Sequence, residues 1–217
     1  MSKFLIKKIA EENYKFFCEL NGSDYIASEF ALFTILNLIQ KFKIKSVLEL
    51  GMGIGSVSDT ILKCSKEKKE SLSYYGTELN EFCLSVLPIN VKYFNDVKLF
   101  DELKSIDNKT FDLIIIDGLD NSLHQIKNYV KTHTILFVEG DRSIQTQTLK
   151  SLFPKHYYVN VITLKKNPTY VHGGNSFENY LGGGQLIFIN PTFLMKIYWF
   201  KEKVFTYVKR KVRKFNN

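Results

Sequence analysis

Cysteine is scarce in this chain, and no apolar run is long enough to cross a bilayer. Cys18, Cys64 and Cys83 lie far apart without a Cys-x-x-Cys pair, which favours a reducing compartment over a disulfide framework or a zinc site. No segment approaches the roughly 18 apolar residues of a transmembrane helix, and acidic residues come too early for a signal peptide. These absences predict a cytoplasmic protein, or one at most peripheral to the inner face of a membrane.

The net charge is close to zero over most of the sequence. The 217 residues are 45% apolar and 24% charged, a globular composition that excludes a disordered tail, a coiled coil and a collagen-like fibre. The formal charge is +8, but residues 192–217 hold eight Lys or Arg against Glu202 alone. The rest of the chain is therefore nearly neutral, and its charge gives little support to a nucleic-acid partner.

Short apolar segments alternate with helix-length segments from residue 45 onward, after two helices predicted over Phe4–Leu20 and from Ser23 or Asp24 to Phe42. The predicted strands are Ser46–Leu50, Ser73–Thr77, Val91–Phe94, Phe111–Ile116, Thr134–Val138, Tyr157–Leu164 and Gln185–Ile189. A further helix is predicted over Ser143–Leu152. The alternation indicates an α/β fold, a parallel sheet with helices on both faces.

A glycine-rich turn follows the first predicted strand, in the run Glu49-Leu50-Gly51-Met52-Gly53-Ile54-Gly55. Glycines let the backbone turn tightly and let a ligand approach closely. The second predicted strand ends at Glu78, where an acid can accept hydrogen bonds from ribose hydroxyls. The pair predicts an adenosine-containing cofactor, and a plain strand-to-helix turn is the alternative. The glycine spacing departs from the dinucleotide-binding pattern.

The alternate glycines preceded by Glu49 resemble the first motif of class I S-adenosylmethionine-dependent methyltransferases. The resemblance covers about Lys45 to Pro191 and implies a Rossmann-like, seven-stranded, mostly parallel sheet with an antiparallel last strand. It also implies S-adenosylmethionine as cofactor. The implied cofactor-binding residues are Glu49 at the amino-acid end, Gly51, Gly53 and Gly55 along the loop, Glu78 at the ribose, Asp96 at the adenine, and Asp117. For Asp96, a surface acid that opens a helix is the alternative.

Asp117 ends the fourth predicted strand at the carboxyl edge of the sheet, where open α/β proteins bind ligands. We predict that it takes the acceptor's proton or binds a metal, and a helix cap is the alternative. The Pro-Pro motif typical of methyltransferases that act on nucleobase or glutamine amino groups is missing after Asp117. A hydroxyl acceptor is therefore favoured. His172 and His124 are further candidates for the general base, and an ordinary exposed or core histidine is the alternative for both.

A metal site is a second possibility at this edge. Glu139 and Asp141 follow the fifth predicted strand and could join Asp117 to bind Mg²⁺, as in metal-dependent O-methyltransferases. The sequence lacks the adjacent Asp-Asn of that group, and Arg142 could pair with the acids instead.

The sequence divides into three predicted regions. Residues 1–44 are predicted to form helices that cover the acceptor pocket, residues 45–191 the methyltransferase domain, and residues 192–217 a basic amphipathic helix. The loop 165–184 is predicted to help select the acceptor. For the last helix three partners stay open: an anionic membrane surface, the protein's own domain or a second subunit in a homodimer, and RNA.

The sequence thus predicts an enzyme that moves a methyl group from S-adenosylmethionine to a hydroxyl of a small molecule, for example a sugar or a glycan precursor. Two alternatives stay open. One is an RNA methyltransferase guided by the basic helix, and the other is a non-catalytic scaffold that binds the cofactor.

Overall fold

The computed structural model describes residues 3–118, 121–171 and 176–215. The helices are α1 (Lys3–Cys18), α2 (Glu29–Phe42), α3 (Ser56–Glu67), α4 (Glu81–Asn90), α5 (Ser143–Leu152) and α6 (Phe193–Phe215). The strands are β1 (Ser46–Leu50), β2 (Ser73–Thr77), β3 (Val97–Phe100), β4 (Phe111–Ile116), β5 (Val130–Glu139), β6 (His156–Val161) and β7 (Gly184–Ile189). Short 3-10 turns cover Ser23–Tyr25, Phe94–Asp96, Leu103–Ser105 and Leu123–Tyr129.

The strands form one sheet in the order β3-β2-β1-β4-β5-β7-β6. Neighbouring strands from β3 to β5 pair in parallel, and β7 runs antiparallel to both β5 and β6. The predicted seven-stranded, mostly parallel sheet with an antiparallel last strand is confirmed. The carboxyl ends of β1 to β5 consequently meet at one edge of the sheet.

Both faces of the sheet are buried, which explains the unbroken apolar run of β4. Leu113 and Ile115 pack in a cluster with residues of α1, α2, α3 and α6. Ile114 and Ile116 pack on the opposite face with residues of α5 and of the 3-10 turns. Because successive side chains of a strand point to opposite faces, a strand covered on both sides must be apolar throughout.

The third strand lies later in the chain than predicted, and the prediction of a strand over Val91–Phe94 is wrong. The N–H of Val91 donates to the carbonyl of Leu87 at 3.0 Å and ends α4, and Phe94–Asp96 is a 3-10 turn. Val91 and its aromatic neighbours pack into the core from this connection. Their apolar character therefore comes from core contacts rather than from a strand.

The second helix also begins later than predicted, at Glu29. Ser28 is its cap, because the Ser28 hydroxyl accepts a hydrogen bond from the N–H of Ala31 at 3.1 Å. Ile26, between the 3-10 turn and this cap, is extended with a φ of −125°. The segment between α1 and α2 reaches the carboxyl edge of the sheet.

Helix α6 packs along the edge strand β6. The indole N–H of Trp199 donates to the carbonyl of Tyr158 at 2.7 Å, and the Thr206 hydroxyl donates to the carbonyl of Asn160 at 2.6 Å. None of the helices within the described ranges is both long and apolar enough to cross a membrane.

Candidate functional site

A cleft of about 340 Å³ opens at the carboxyl edge of the sheet. Its walls come from the residues that follow β1, β2, β3, β4 and β5, together with the segment between α1 and α2. This is the position at which open α/β sheets bind their ligands, and the volume suits a small molecule.

The glycine loop after β1 turns beneath this cleft. The N–H groups of Gly51 and Met52 both donate to the carbonyl of Thr77 at 3.1 Å, which fixes the loop against the end of β2. Gly51 has a φ of +82°, and a β-carbon there would lie 2.5 Å from the backbone of Gly118. Gly53 has a φ of +53°, and a β-carbon there would collide with the carbonyl oxygen of Tyr25. Both positions therefore require glycine for conformation and for space.

Glu78 joins the end of β2 to the glycine loop. One carboxylate oxygen accepts the N–H of Gly53 at 2.7 Å, and the other accepts the N–H groups of Leu79 and Asn80 at 2.9 and 2.8 Å. These bonds hold the Glu78 side chain at the cleft wall. The oxygen that accepts the Gly53 N–H keeps acceptor capacity for a ligand hydroxyl.

Glu49 lies below the cleft wall rather than on it. Its side chain is fully buried, and one carboxyl oxygen accepts a short hydrogen bond from the Tyr74 hydroxyl. The other oxygen has no hydrogen-bond partner among the residues that the structure describes. Burial raises the pKa of Glu49 well above its usual range, the Tyr74 hydrogen bond opposes this rise, and the charges of Asp117 and Glu78 add to it.

Asp117, Glu139 and Arg142 form a charged group at the ends of β4 and β5. An Arg142 guanidinium nitrogen lies 3.1 Å from Asp117 Oδ1 and also donates to the Asp117 carbonyl. Burial, followed by the Glu139 charge, raises the pKa of Asp117, and Arg142 partly offsets the rise. Burial raises the pKa of Glu139 too, against the Ser28 N–H and Arg142. Each of these two carboxyls therefore takes up a proton at a higher pH than an ordinary carboxyl does.

The structure does not bring the remaining predicted residues into the cleft. Asp96 precedes β3 and therefore lies at the amino ends of the parallel strands, away from the cleft. It pairs with Lys66 at 2.8 Å. His124 is exposed in the turn Leu123–Tyr129 and is not part of the cleft lining. His172 lies outside the described residues. Gly55 caps the start of α3 behind the loop, where its φ is +99°.

The predicted metal ligands Asp117, Glu139 and Asp141 do not form one coordination site. Asp141 is exposed and does not line the cleft, and the Arg142 guanidinium occupies the contact with Asp117. In the described part of the chain, no group of three His, Cys, Asp or Glu side chains is arranged to hold a metal ion. This donor set does not fit Mg²⁺, which takes carboxylate oxygens free of a competing cation.

Two parts of the cleft were missed from the sequence. Asp101 and Glu102 follow β3 directly, but the early placement of this strand hid them. Asp24, Tyr25 and Ile26 reach the cleft from the segment between α1 and α2. For the first pair, the signal is the run Val97 to Phe100 followed by two acids, whereas no local signal marks the second group.

The cleft is strongly acidic. Its described lining includes six carboxyl side chains and a single positive one, that of Arg142. The acids are Asp24, Glu78, Asp101, Glu102, Asp117 and Glu139. A cleft lined by one sign of charge raises the local concentration of ligands of the opposite sign.

The loop after β6 is fastened beside the cleft through α1 and α2. Lys165 Nζ lies 2.8 Å from both carboxylate oxygens of Glu29 and 2.9 Å from Glu11. The Ser28 hydroxyl donates to the Gly182 carbonyl at 2.9 Å, and the Ser28 N–H donates to Glu139 at 3.4 Å. The cap of α2 therefore connects this loop to the carboxyl group at the end of β5.

Solved methyltransferase structures share this architecture. One is an S-adenosylhomocysteine-bound methyltransferase of Podospora anserina, with 13% identity, 83% of this chain and 87% of that chain covered, and a TM-score of 0.55. A second is an O-methyltransferase of Bacillus cereus in complex with S-adenosylhomocysteine, with 12% identity, coverage of 84% and 90%, and a TM-score of 0.53.

A third is the precorrin-6y C5,15-methyltransferase of Geobacter metallireducens, with 15% identity, coverage of 71% and 85%, and a TM-score of 0.50. No protein-family model matches the chain, and no curated protein sequence matches it. The chain therefore has the fold of the class I S-adenosylmethionine-dependent methyltransferases. Because these structures include an O-methyltransferase and a precorrin methyltransferase, the fold leaves the acceptor open.

Proposed function

We propose that this protein transfers a methyl group from S-adenosylmethionine to a hydroxyl of a small molecule. The observation that carries the proposal is the contact between Glu78 and the glycine loop, where the carboxylate accepts the Gly53 N–H at 2.7 Å. This contact supports Glu78 as the ribose-binding acid, because it holds the carboxylate beside a loop that requires glycine at positions 51 and 53. This pairing supports a nucleoside cofactor in the cleft, and the shared fold supports S-adenosylmethionine as that cofactor.

The residues around the cleft fit this cofactor. Glu78 would accept a ribose hydroxyl, Gly51 and Gly53 would let the amino-acid part approach the backbone, and Asp101 would lie at the adenine in place of Asp96. Gly55 would act from behind the wall, where its N–H donates to the Met52 carbonyl of the loop at 3.0 Å, and Glu49 would act through its contact with Tyr74. When bound, the cofactor supplies a methyl group on a positively charged sulfur, and an acidic cleft stabilises that charge.

The charge of the cleft also bears on the acceptor. Six carboxyls repel phosphate groups, so a neutral hydroxyl compound such as a sugar or glycan precursor fits better than RNA. This weighs against an RNA methyltransferase. The segment between α1 and α2 and the loop after β6 would shape the acceptor pocket.

The acceptor hydroxyl must lose its proton as the methyl group moves. We assign this proton to the Asp117–Glu139 pair, which lines the cleft beside Arg142. A pKa raised above the ordinary carboxyl range makes the pair a better base at neutral pH. Because only the ionised form accepts the proton, kcat should fall as the pH is lowered through this raised pKa.

Methyl transfer from labelled S-adenosylmethionine to a panel of sugars and glycan precursors, with RNA as a parallel substrate, tests the proposal. We expect transfer to a small-molecule hydroxyl that survives EDTA. Glu139→Gln should reduce kcat about a hundredfold, the usual contribution of a general base, whereas Asp141→Asn should leave it unchanged. Transfer to RNA alone, or equal losses in the two variants, would contradict it. Cofactor binding without any transfer would favour the scaffold.

A further inference from the structure

Helix α6 turns two different faces to its surroundings. The face against the protein carries Met195 and Thr206, which are buried, with Tyr198, Trp199 and Glu202 partly buried beside them. The opposite face is apolar but uncovered. Its side chains, exposed between 43% and 87%, are Phe193, Ile197, Phe200, Val204, Tyr207, Val208 and Phe215. The more apolar stripe therefore points away from the core.

Cations surround this apolar stripe. Lys201 and Lys211 lie among its side chains, and Lys196, Lys203, Arg210 and Lys214 line one flank, all of them exposed. Glu202, the only acid of the helix, lies on the packed side and is not exposed. The uncovered surface of α6 thus combines apolar side chains with positive charge only.

A basic groove continues this surface on the other flank. It lies between α2 and α6, has a volume of about 470 Å³, and is lined by Lys3, Lys41, Lys201 and Lys209 with Glu202 as the acid among its lining residues. Phe30 and Phe33 form part of its apolar wall. Four ammonium groups around an apolar groove suit an anionic headgroup on an apolar chain.

We propose that the uncovered face of α6 binds the surface of an anionic lipid bilayer. Side chains such as Phe200 and Val204 would enter the boundary between headgroups and acyl chains, and the surrounding lysines would meet the negative headgroups. Phe200 and Tyr207 of the stripe are exposed aromatic side chains, and aromatic residues of this kind favour this boundary.

A second copy of the chain fits the same face less well. A two-fold dimer brings identical patches together, so the cations of one α6 would oppose those of the other. The helix has 23 residues, and at a length of about 34 Å and a width of about 10 Å the strip offers roughly 350 Å². A stable interface needs about 800 Å² from each partner. RNA would meet the cations but would leave Ile197 and Val208 exposed to water.

The orientation of α6 brings the docking surface towards the catalytic edge. β6 is parallel to β5, since both run antiparallel to β7, and α6 follows the direction of β6. The Arg213 guanidinium near the end of α6 donates to the Thr163 carbonyl and lies 4.2 Å from the ring centre of Tyr180. The carboxyl end of α6 therefore contacts the loop after β6, which runs beside the cleft.

Vesicle co-sedimentation of the full chain tests the proposal. Vesicles of phosphatidylcholine with phosphatidylglycerol should bind the protein, and phosphatidylcholine alone should bind it weakly. Ile197→Ser with Val208→Ser should weaken binding by about tenfold or more. The matched control is Ile89→Ser with Ile144→Ser, two isoleucines on other helices that are each 80% exposed, and it should bind as the native chain does.

The charge contribution has its own pair of variants. Lys201→Gln, Lys203→Gln and Lys211→Gln together should weaken binding about a hundredfold, at about fivefold for each lysine. Lys109→Gln, Lys127→Gln and Lys155→Gln remove the same charge from exposed positions elsewhere and should have little effect. The circular-dichroism spectrum and the affinity for S-adenosylmethionine should be those of the native chain in every variant. A loss of vesicle binding with unchanged cofactor binding therefore separates this proposal from the proposed function.

Three results would overturn the proposal. The first is a native chain that ignores anionic vesicles. The second is equal binding by the α6 variants and their controls. The third is an oligomer or an RNA complex in solution that the α6 substitutions disrupt while vesicle binding is absent, which would assign the face to that partner.

Discussion

The Glu49 carboxyl is fully buried, and ionising a buried carboxyl costs free energy because the charge loses its hydration. The pKa of Glu49 is raised by burial above the roughly 4.3 of an unfolded chain. The folded state therefore holds a proton that the unfolded state releases. The stability that this proton provides is present below the unfolded pKa and is lost as the pH rises through the folded pKa.

Replacing Glu49 with Gln should therefore stabilise the protein at high pH. Gln keeps an oxygen that can accept the Tyr74 hydroxyl but carries no charge. We expect the free energy of unfolding to rise by about 1–3 kcal/mol at about pH 8 and to change less at about pH 5. Urea denaturation at the two pH values measures this. Glu19→Gln, at an exposed position, is the control, and an equal change in both variants would contradict the argument.

The contact between Glu78 and the glycine loop could be anticipated from single residues. Parallel neighbouring strands end at the same edge, so a loop after β1 and an acid after β2 must meet there. The Tyr74 partner of Glu49 could not be anticipated, because it depends on which β2 side chains share a face with Glu49. From the sequence, Asp117 could either bind a metal or pair with Arg142. The side-chain conformations of Asp117 and Arg142 decide for the pair, and the sequence does not specify them.

Among the elements, β3 decides which acid reaches the cofactor cleft. Asp101 follows the strand and lines the cleft, whereas Asp96 precedes the strand and pairs with Lys66. We expect Asp101→Ala to weaken S-adenosylmethionine binding about tenfold or more, the worth of a hydrogen bond to a charged group. Asp96→Ala should leave the affinity unchanged. Titration calorimetry of both variants measures this, and the opposite order of effects would return the adenine contact to Asp96.

The junction of α1, α2 and the loop after β6 depends on Lys165. Its ammonium group contacts Glu11 and both oxygens of Glu29, whose side chain is only 6% exposed. Lys165→Met would leave the Glu29 charge buried without this partner. Because Lys165 itself is 42% exposed, we expect a loss of about 1–3 kcal/mol, less than for a fully buried pair.

Lys8→Met is the matched control for that variant. Lys8 and Glu12 form an exposed pair at 3.7 Å, and such pairs contribute about 0–1 kcal/mol. Thermal and urea unfolding should therefore separate the two substitutions clearly. Equal losses would show that the Lys165 contacts do not stabilise the junction.

Elements with a strong local pattern were predictable, and those without one were not. β1, β2 and β4 were placed correctly, because their apolar runs are bounded by polar or glycine residues. β3 was misplaced, because Val91 and Phe94 are apolar for contacts made by a connection. The face on which α6 packs could not be read from its pattern, since the helix buries its less apolar side against β6.

On the scale of the whole molecule, charge is divided between two surfaces. The cleft is lined by six carboxyls and Arg142, and the charged side chains on the uncovered face of α6 are all cations. The net charge of +8 conceals this division. An acidic cleft suits a cationic cofactor and a neutral acceptor, and the basic helix is the surface that we assign to an anionic bilayer.

Titration calorimetry with S-adenosylmethionine tests the central claim most directly. The native chain should bind the cofactor, and Gly53→Ala should weaken binding about tenfold or more, which is about 1.4 kcal/mol. Gly140→Ala is the control, because Gly140 also has a positive φ, +66°, but a β-carbon there meets nothing within 4 Å. The predicted result is an affinity that is at least about tenfold weaker in Gly53→Ala and unchanged in Gly140→Ala. No binding by the native chain, or equal affinity in Gly53→Ala, would contradict the assignment of this cleft to S-adenosylmethionine.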